Sequence, residues 1–128
     1  MAIFQNAFSE LVKALCRDKA TIFDDQGCTT WLIQAENGWQ IAFMRFKQST
    51  VSSEFHVNNL SQWGIVLNGE MSLWIPNKRK RTLKKGDTFF IQKDAPHRVA
   101  IKAGYEDITI FDGQRYKPQS WPRVKERR

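Results

Sequence analysis

Two Asn-Gly pairs, Asn37-Gly38 and Asn68-Gly69, each stand between two runs rich in apolar, β-branched and aromatic residues. Both residues of such a pair tolerate positive φ, so the pair suits the tight turn that joins antiparallel strands. Thr29 to Ala35 leads into the first pair, and Trp39 to Lys47 returns from it, with Trp39, Ile41 and Phe43 alternating against Gln40. Gln62 to Leu67 leads into the second pair, and Glu70 to Ile75 is expected to return from it as a second hairpin. A chain punctuated this way is committed to antiparallel sheet before anything else about it is known.

The rest of the chain extends the pattern. Asp24-Asp25-Gln26-Gly27, Pro76-Asn77 and Lys84-Lys85-Gly86-Asp87 read as turns. Further strands are expected over Thr50 to Asn58, Arg79 to Leu83, Thr88 to Gln92, Arg98 to Lys102 and Glu106 to Phe111. Phe4, Phe8, Leu11, Val12 and Leu15 recur at helical spacing, with Glu10, Lys13 and Arg17 on the other side. This predicts one amphipathic helix over residues 3–17, docked on the sheet or on a second subunit. Many short strands, glycine turns and a single helix argue for an all-β sandwich or closed barrel. The expected layout is one domain over residues 1–128, with the helix in 1–19, the β-barrel in 20–112 and a tail in 113–128. The tail is expected to wrap the barrel at Trp121 and to fray after Val124.

A chain of 128 residues buries roughly two thirds of its unfolded surface, so it can fold without disulfides or a structural metal. Cys16 and Cys28 are too far apart for a redox or zinc pair and fit a reducing compartment. The first residues lack the pattern of a signal peptide, and no apolar run is long enough to cross a bilayer. The expectation is a soluble, cytoplasmic protein without a membrane partner. The net charge of +7 lies mostly in Lys78 to Arg81, Lys84-Lys85 and the tail from Arg115 to Arg128. The first two groups flank short strands, where lysine and arginine guard exposed edges. A solvated face is therefore preferred to nucleic-acid binding.

The sequence has two histidines, His56 in the stretch Phe55 to Gly69 and His97 in the stretch Gly86 to His97. Gln62 stands six residues after His56. Imidazoles and an amide oxygen brought together by the strands of one barrel would make a small polar site in an apolar pocket.

These two stretches resemble the motifs of the cupins, small jelly-roll barrels. His56, Asn58, Gln62 and Gly69 stand where the first cupin motif has its two His, its Glu and its closing Gly, with Thr50 in place of the opening Gly. Gly86 and His97 match the second motif, while Gln92, Asp94 and Ile101 replace its Pro, Gly and Asn. The run Gln62-Trp63-Gly64-Ile65-Val66-Leu67-Asn68-Gly69-Glu70 also resembles a group of small single-domain bacterial cupins. The resemblance implies a jelly-roll fold. It also implies a candidate metal set of His56, Gln62 and His97, with Asn58 in place of a histidine, and Trp63 and Gly64 at the ligand pocket. The implied cofactor is one divalent transition metal, Fe, Mn, Ni, Cu or Zn, which two imidazoles suit. Amide oxygens are weaker, neutral donors, and no carboxylate stands at a ligand position. Glu54 shares strand parity with His56 and could point inward. Tyr105, after a glycine turn, is a candidate acid or base at the barrel mouth.

Three functional readings follow. The first is a small-molecule-binding barrel whose degenerate site works with or without metal. The second is a metal-dependent dioxygenase, isomerase or lyase acting on a small carbonyl or hydroxy compound. The third is a basic interaction domain for nucleic acid or an acidic protein. Cupins often pair barrels edge to edge, and the helix and Trp121 offer apolar surface, so a homodimer is expected.

Overall fold

The computed structural model describes residues 20–117 and 124–126. The expected helix over residues 3–17 and the expected wrap at Trp121 lie outside the described residues, while the tail does not fray directly after Val124, since Val124–Glu126 pairs with Thr21 to Phe23.

The described chain forms strands only. They are β1 (Thr21–Asp25), β2 (Cys28–Gln34), β3 (Gln40–Phe46), β4 (Thr50–Val51), β5 (Gln62–Asn68) and β6 (Glu70–Trp74), then β7 (Arg81–Lys84), β8 (Thr88–Ile91), β9 (Arg98–Ile101), β10 (Glu106–Phe111) and β11 (Val124–Glu126). They pair antiparallel in two sheets, one in the order β11-β1-β2-β3-β10-β5-β8 and one in the order β4-β9-β6-β7. From β5 onward the chain passes repeatedly from one sheet to the other, which makes the two sheets the walls of one jelly roll.

The first Asn-Gly pair closes the expected hairpin, with Gln34 opposite Gln40 at its base. The second does something else. β5 pairs with β10 and β8, whereas β6 pairs with β7 and β9. Asn68-Gly69 is therefore the corner where the chain leaves the large sheet for the small one, not a hairpin. Gly69 has φ +79, and a Cβ there would stand 2.8 Å from the Tyr105 Cα. The corner before β10 occupies the space that a side chain would need, so the close approach selects glycine as firmly as the turn does.

Two other expectations change. Asp24 and Asp25 end a strand, β1, and the turn is confined to Gln26 and Gly27, both at positive φ. Of the strand expected over Thr50 to Asn58, only Thr50–Val51 is continuous. Ser52 N still donates to Val99 O at 2.8 Å, and pairing resumes at His56 opposite His97. Three residues, Ser53 to Phe55, thus stand against Arg98 alone. This is a bulge in an edge strand, and it breaks the alternation on which Glu54 was expected to point inward. Glu54 is exposed.

Two apolar clusters fill the space between the sheets. One gathers Val66, Met71, Leu73, Leu83, Phe89, Ile91, Ile101 and Tyr105; the other gathers Phe23, Leu32, Ala42, Leu60 and Phe111. The tail segment at Tyr116 seals the second cluster. Gln40 Nε2 donates to Tyr116 O at 2.9 Å, and Tyr116 N donates back to Gln40 Oε1 at 3.0 Å. Gln40 is fully buried, and this reciprocal pairing satisfies its amide. Cys28 is buried as a free thiol, and burial pushes its pKa up to about 12, away from the nucleophilic thiolate form.

Candidate functional site

The two histidines meet across a single antiparallel bridge. His56 N donates to His97 O and His97 N donates to His56 O, both at 2.9 Å. The rings lie edge to face with centroids 4.2 Å apart. Their neighbours lock the bridge from the other side. Arg98 stacks on Trp74 with its guanidinium carbon 4.4 Å from the ring centroid, and it reaches Phe55 at 5.7 Å. Residues 55 and 98 therefore clamp outside while 56 and 97 pair inside. Asp94 N donates to Asn58 O at 2.8 Å and extends the pairing to Asn58.

Gln62 opens β5 opposite Phe111 of β10 and Ile91 of β8. Its Oε1 accepts from Asn58 Nδ2 at 3.2 Å. Thus the four residues His56, Asn58, Gln62 and His97 line one cavity of about 190 Å³ between the sheets. Its walls include Phe89, Ile91, Val99, Ile101 and Phe111, and Arg115 and Tyr116 also line it. His97 is 3% exposed, and its Nδ1 lies 3.0 Å from Ala95 O, so Nδ1 carries the proton when the ring is neutral and Nε2 is left with its lone pair. Burial, with a smaller contribution from the neighbouring His56, holds its pKa below the ordinary histidine value against the opposing Ala95 contact. His97 is thus a neutral imidazole at neutral pH, while His56 stands exposed beside it.

Trp63 and Gly64 are placed differently from the other expected pocket residues. Trp63 points out of the barrel, stacks on Trp39 with centroids 5.8 Å apart, and meets Phe90 at 5.1 Å. It lines a separate groove of about 440 Å³ on the outer face of the large sheet, with Ile65, Arg81, Phe90, Ile108 and Ile110. Gly64 faces inward but serves packing, since the Phe89 ring lies directly on it. Tyr105 is fully buried rather than at the mouth, and its hydroxyl donates to Asp107 Oδ2 at 2.7 Å.

Asp107 and Thr109 also line the cavity, and neither is singled out by the sequence. In β10, Asp107 and Thr109 alternate with Ile108 and Ile110. On an isolated strand the polar face would be assigned to water. The structure inverts this: Asp107 and Thr109 are buried inside, while Ile108 and Ile110 line the outer groove. The signal was the alternation, but its sign is set by the partner strands.

As a cation site the mouth is short of charge. Its donors are two imidazoles and one neutral amide oxygen that already accepts from Asn58. No group of three His, Cys, Asp or Glu able to hold a metal occurs among the described residues. The cavity's carboxylate, Asp107, lies four residues deeper along β10 and already accepts from Tyr105 and Thr109, so a divalent ion at the mouth would keep its full charge in a partly apolar surrounding, which is costly. The donor set therefore fits the polar end of an organic molecule better than a divalent metal. Of the basic segments, only the tail reaches it, through Arg115. Lys78, Arg79, Lys80 and Arg81 are all exposed, and Lys80 lies over the outer ring of Trp74. No helix among the described residues is long and apolar enough to cross a membrane.

A two-sheet jelly roll with a polar cluster on the inner wall near one end defines a recognisable class of small barrel. The model of the cupin domain family matches residues 42–112, more than half of the chain, and the chain belongs to the cupins. No curated protein matches it in sequence. Among solved structures it is similar to an RmlC-like cupin from Shewanella frigidimarina, with a TM-score of 0.61 and 20% identity over 72% of this chain and 82% of that one. KdgF from Halomonas sp. superposes with a TM-score of 0.60 and 19% identity over 70% of this chain and 83% of that one. A single-substitution variant of the oxalate decarboxylase of Bacillus subtilis gives a TM-score of 0.65 and 16% identity over 82% of this chain but only 30% of the decarboxylase. Identities this low show the shared fold alone.

Proposed function

We propose that the barrel binds a small organic molecule, with His56, Gln62 and His97 orienting its polar end and Phe89, Ile91 and Ile101 supplying apolar contact. The observation that carries this reading is the convergence of four polar side chains from two chain segments on one apolar-walled cavity. The cavity of about 190 Å³ has room for roughly six waters. It suits a molecule of that order of size and not a nucleotide or a large cofactor. The decisive experiment is a thermal-shift screen of small acids, sugars and hydroxy compounds, run with and without chelator. A ligand at a hundred times its Kd stabilises the fold by about 2.7 kcal/mol, which raises Tm by several degrees and persists in chelator. No rise with any compound would sink the reading.

A second reading, a metal-dependent dioxygenase, isomerase or lyase, draws on the pairing of the two imidazoles with His97 Nε2 left available. It is also supported by analogy of fold with the oxalate decarboxylase and with a putative mannose-6-phosphate isomerase from Ralstonia eutropha. In that case His56, Gln62 and His97 would hold the ion, and water would complete its shell. Stoichiometric metal that is lost in His97→Ala is the result this reading requires.

We also propose that the chain forms a homodimer through the outer face of the large sheet. Trp39, Trp63, Ile65 and Phe90 are between 38% and 48% exposed there and adjoin one another across β5, β8 and the first hairpin turn. Adjoining exposed apolar side chains of this kind suit a protein–protein contact.

A further inference from the structure

Asp107 has no cation as an ion-pair partner among the described residues, although it is buried. Its Oδ2 accepts from Tyr105 and its Oδ1 accepts from Thr109 at 3.1 Å. These two hydroxyl contacts use only half of a carboxylate's acceptor capacity. A buried polar group with capacity to spare is costly in a core, and here the spare capacity faces a cavity. That cavity is the one that ends at His56, Gln62 and His97. Phe111 is opposite Gln62 and Asp107 is opposite Val66. Asp107 therefore lies four residues deeper in the barrel, about 13 Å of strand, with Thr109 between the two levels.

We propose that Asp107 and Thr109 form a second polar station of the binding site, which takes the hydroxyl group of a small hydroxy acid whose carboxylate lies at the mouth. This rests on the reading of the barrel as a small-molecule site. The mouth suits the carboxylate because Arg115 lines the cavity together with His56 and His97. Arg115 is held there by its stack on Tyr116 at 5.2 Å, and Tyr116 is tied by its backbone to Gln40. The deep end suits a hydroxyl better than an ammonium group. Burial holds the Asp107 carboxyl near the balance between its neutral and ionised forms at neutral pH. A hydroxyl both donates and accepts, so it pairs with either form. An ammonium group donates only and would need the ion, at the cost of its own desolvation.

The test compares two acids of matched length, 5-hydroxypentanoate and pentanoate, by calorimetric titration at neutral pH. The wild type is expected to bind the hydroxy acid about tenfold more tightly, the worth of one buried hydrogen bond. In Asp107→Leu the preference is expected to fall to within about twofold while pentanoate still binds. Thr109→Val, a closer match in shape, is expected to lose several-fold of the same preference and covers the case in which the Asp107 variant does not fold. Equal affinity of the wild type for the two acids overturns the second station and leaves the small-molecule reading standing. A preference that survives in both variants also overturns it. Binding of neither acid overturns the hydroxy-acid assignment; a hit from another class in the thermal-shift screen would show that the binding reading itself survives.

Discussion

The ring of Phe89 lies across Gly64, so close that a Cβ built on Gly64 would stand 2.1 Å from Phe89 Cζ. Gly64 faces the barrel interior on β5, opposite Phe89 on β8. The ring can form part of the cavity wall only because its neighbour has no side chain. Gly64→Ala must move the ring, and overpacking of this kind costs about 1–3 kcal/mol. Urea denaturation is expected to show the loss. Phe89→Leu in the same chain is expected to recover part of it. Wild-type stability in Gly64→Ala would mean that the ring has another place to go.

Asp107 makes stability depend on pH in an unusual direction. Burial pushes its carboxyl up to about 7, against lowering by the Tyr105 and Thr109 contacts. The folded state therefore binds a proton that the unfolded chain releases near the ordinary carboxylate value. Its contribution is fully present below the unfolded pKa and is lost as pH rises from about 4 to about 7. A shift of that size corresponds to on the order of 4 kcal/mol. Asp107→Asn cannot titrate. The wild-type minus variant difference in unfolding free energy should move against the wild type across that window and stay level above it. A difference that stays flat from acid to neutral pH would place the carboxyl in contact with water.

Removal of the mouth imidazole separates the two readings of the site. In His97→Ala, binding of a cavity ligand is expected to weaken by about tenfold or more, since a buried polar contact is lost. Elemental analysis of the wild type purified without chelator is expected to show no stoichiometric transition metal, given a donor set without a carboxylate. Metal at one equivalent in the wild type and none in His97→Ala would instead establish the metal-dependent reading.

The aromatic face makes its own prediction. Trp63→Glu and Phe90→Lys place charge on the outer face of the large sheet and leave the inner wall untouched. Light scattering at micromolar concentration is expected to give a dimer mass for the wild type and a monomer mass for the double variant. A monomeric wild type would end the homodimer proposal.

Much of this was legible in the chain itself. Turn residues and alternation marked most strands, and the spacing of His56, Gln62 and His97 marked the residues that line one cavity. What was not legible depends on partners far away in sequence. Asn68-Gly69 looks like a hairpin until the backbone at Tyr105 is seen to occupy the space beside it. Glu54 shares parity with His56 only if the strand is unbroken, and the bulge at Ser53 to Phe55 breaks it. Trp63 follows Gln62, but adjacent strand residues face opposite ways, so one reached the cavity and the other the outer groove. Asp107 was hidden for the opposite reason, because a polar face of a strand reads as a wet one.

The bridge at residues 56 and 97 is made by backbone atoms alone, and Phe55 and Arg98 brace it from outside. The spacing of the two mouth positions is therefore independent of the side chains they carry. The barrel offers a socket, and the groups plugged into it can be exchanged without rebuilding the frame. A redesign could install a carboxylate or a third imidazole at position 58 or 62 and change what the mouth grips, while the same two main-chain links hold the rim in shape.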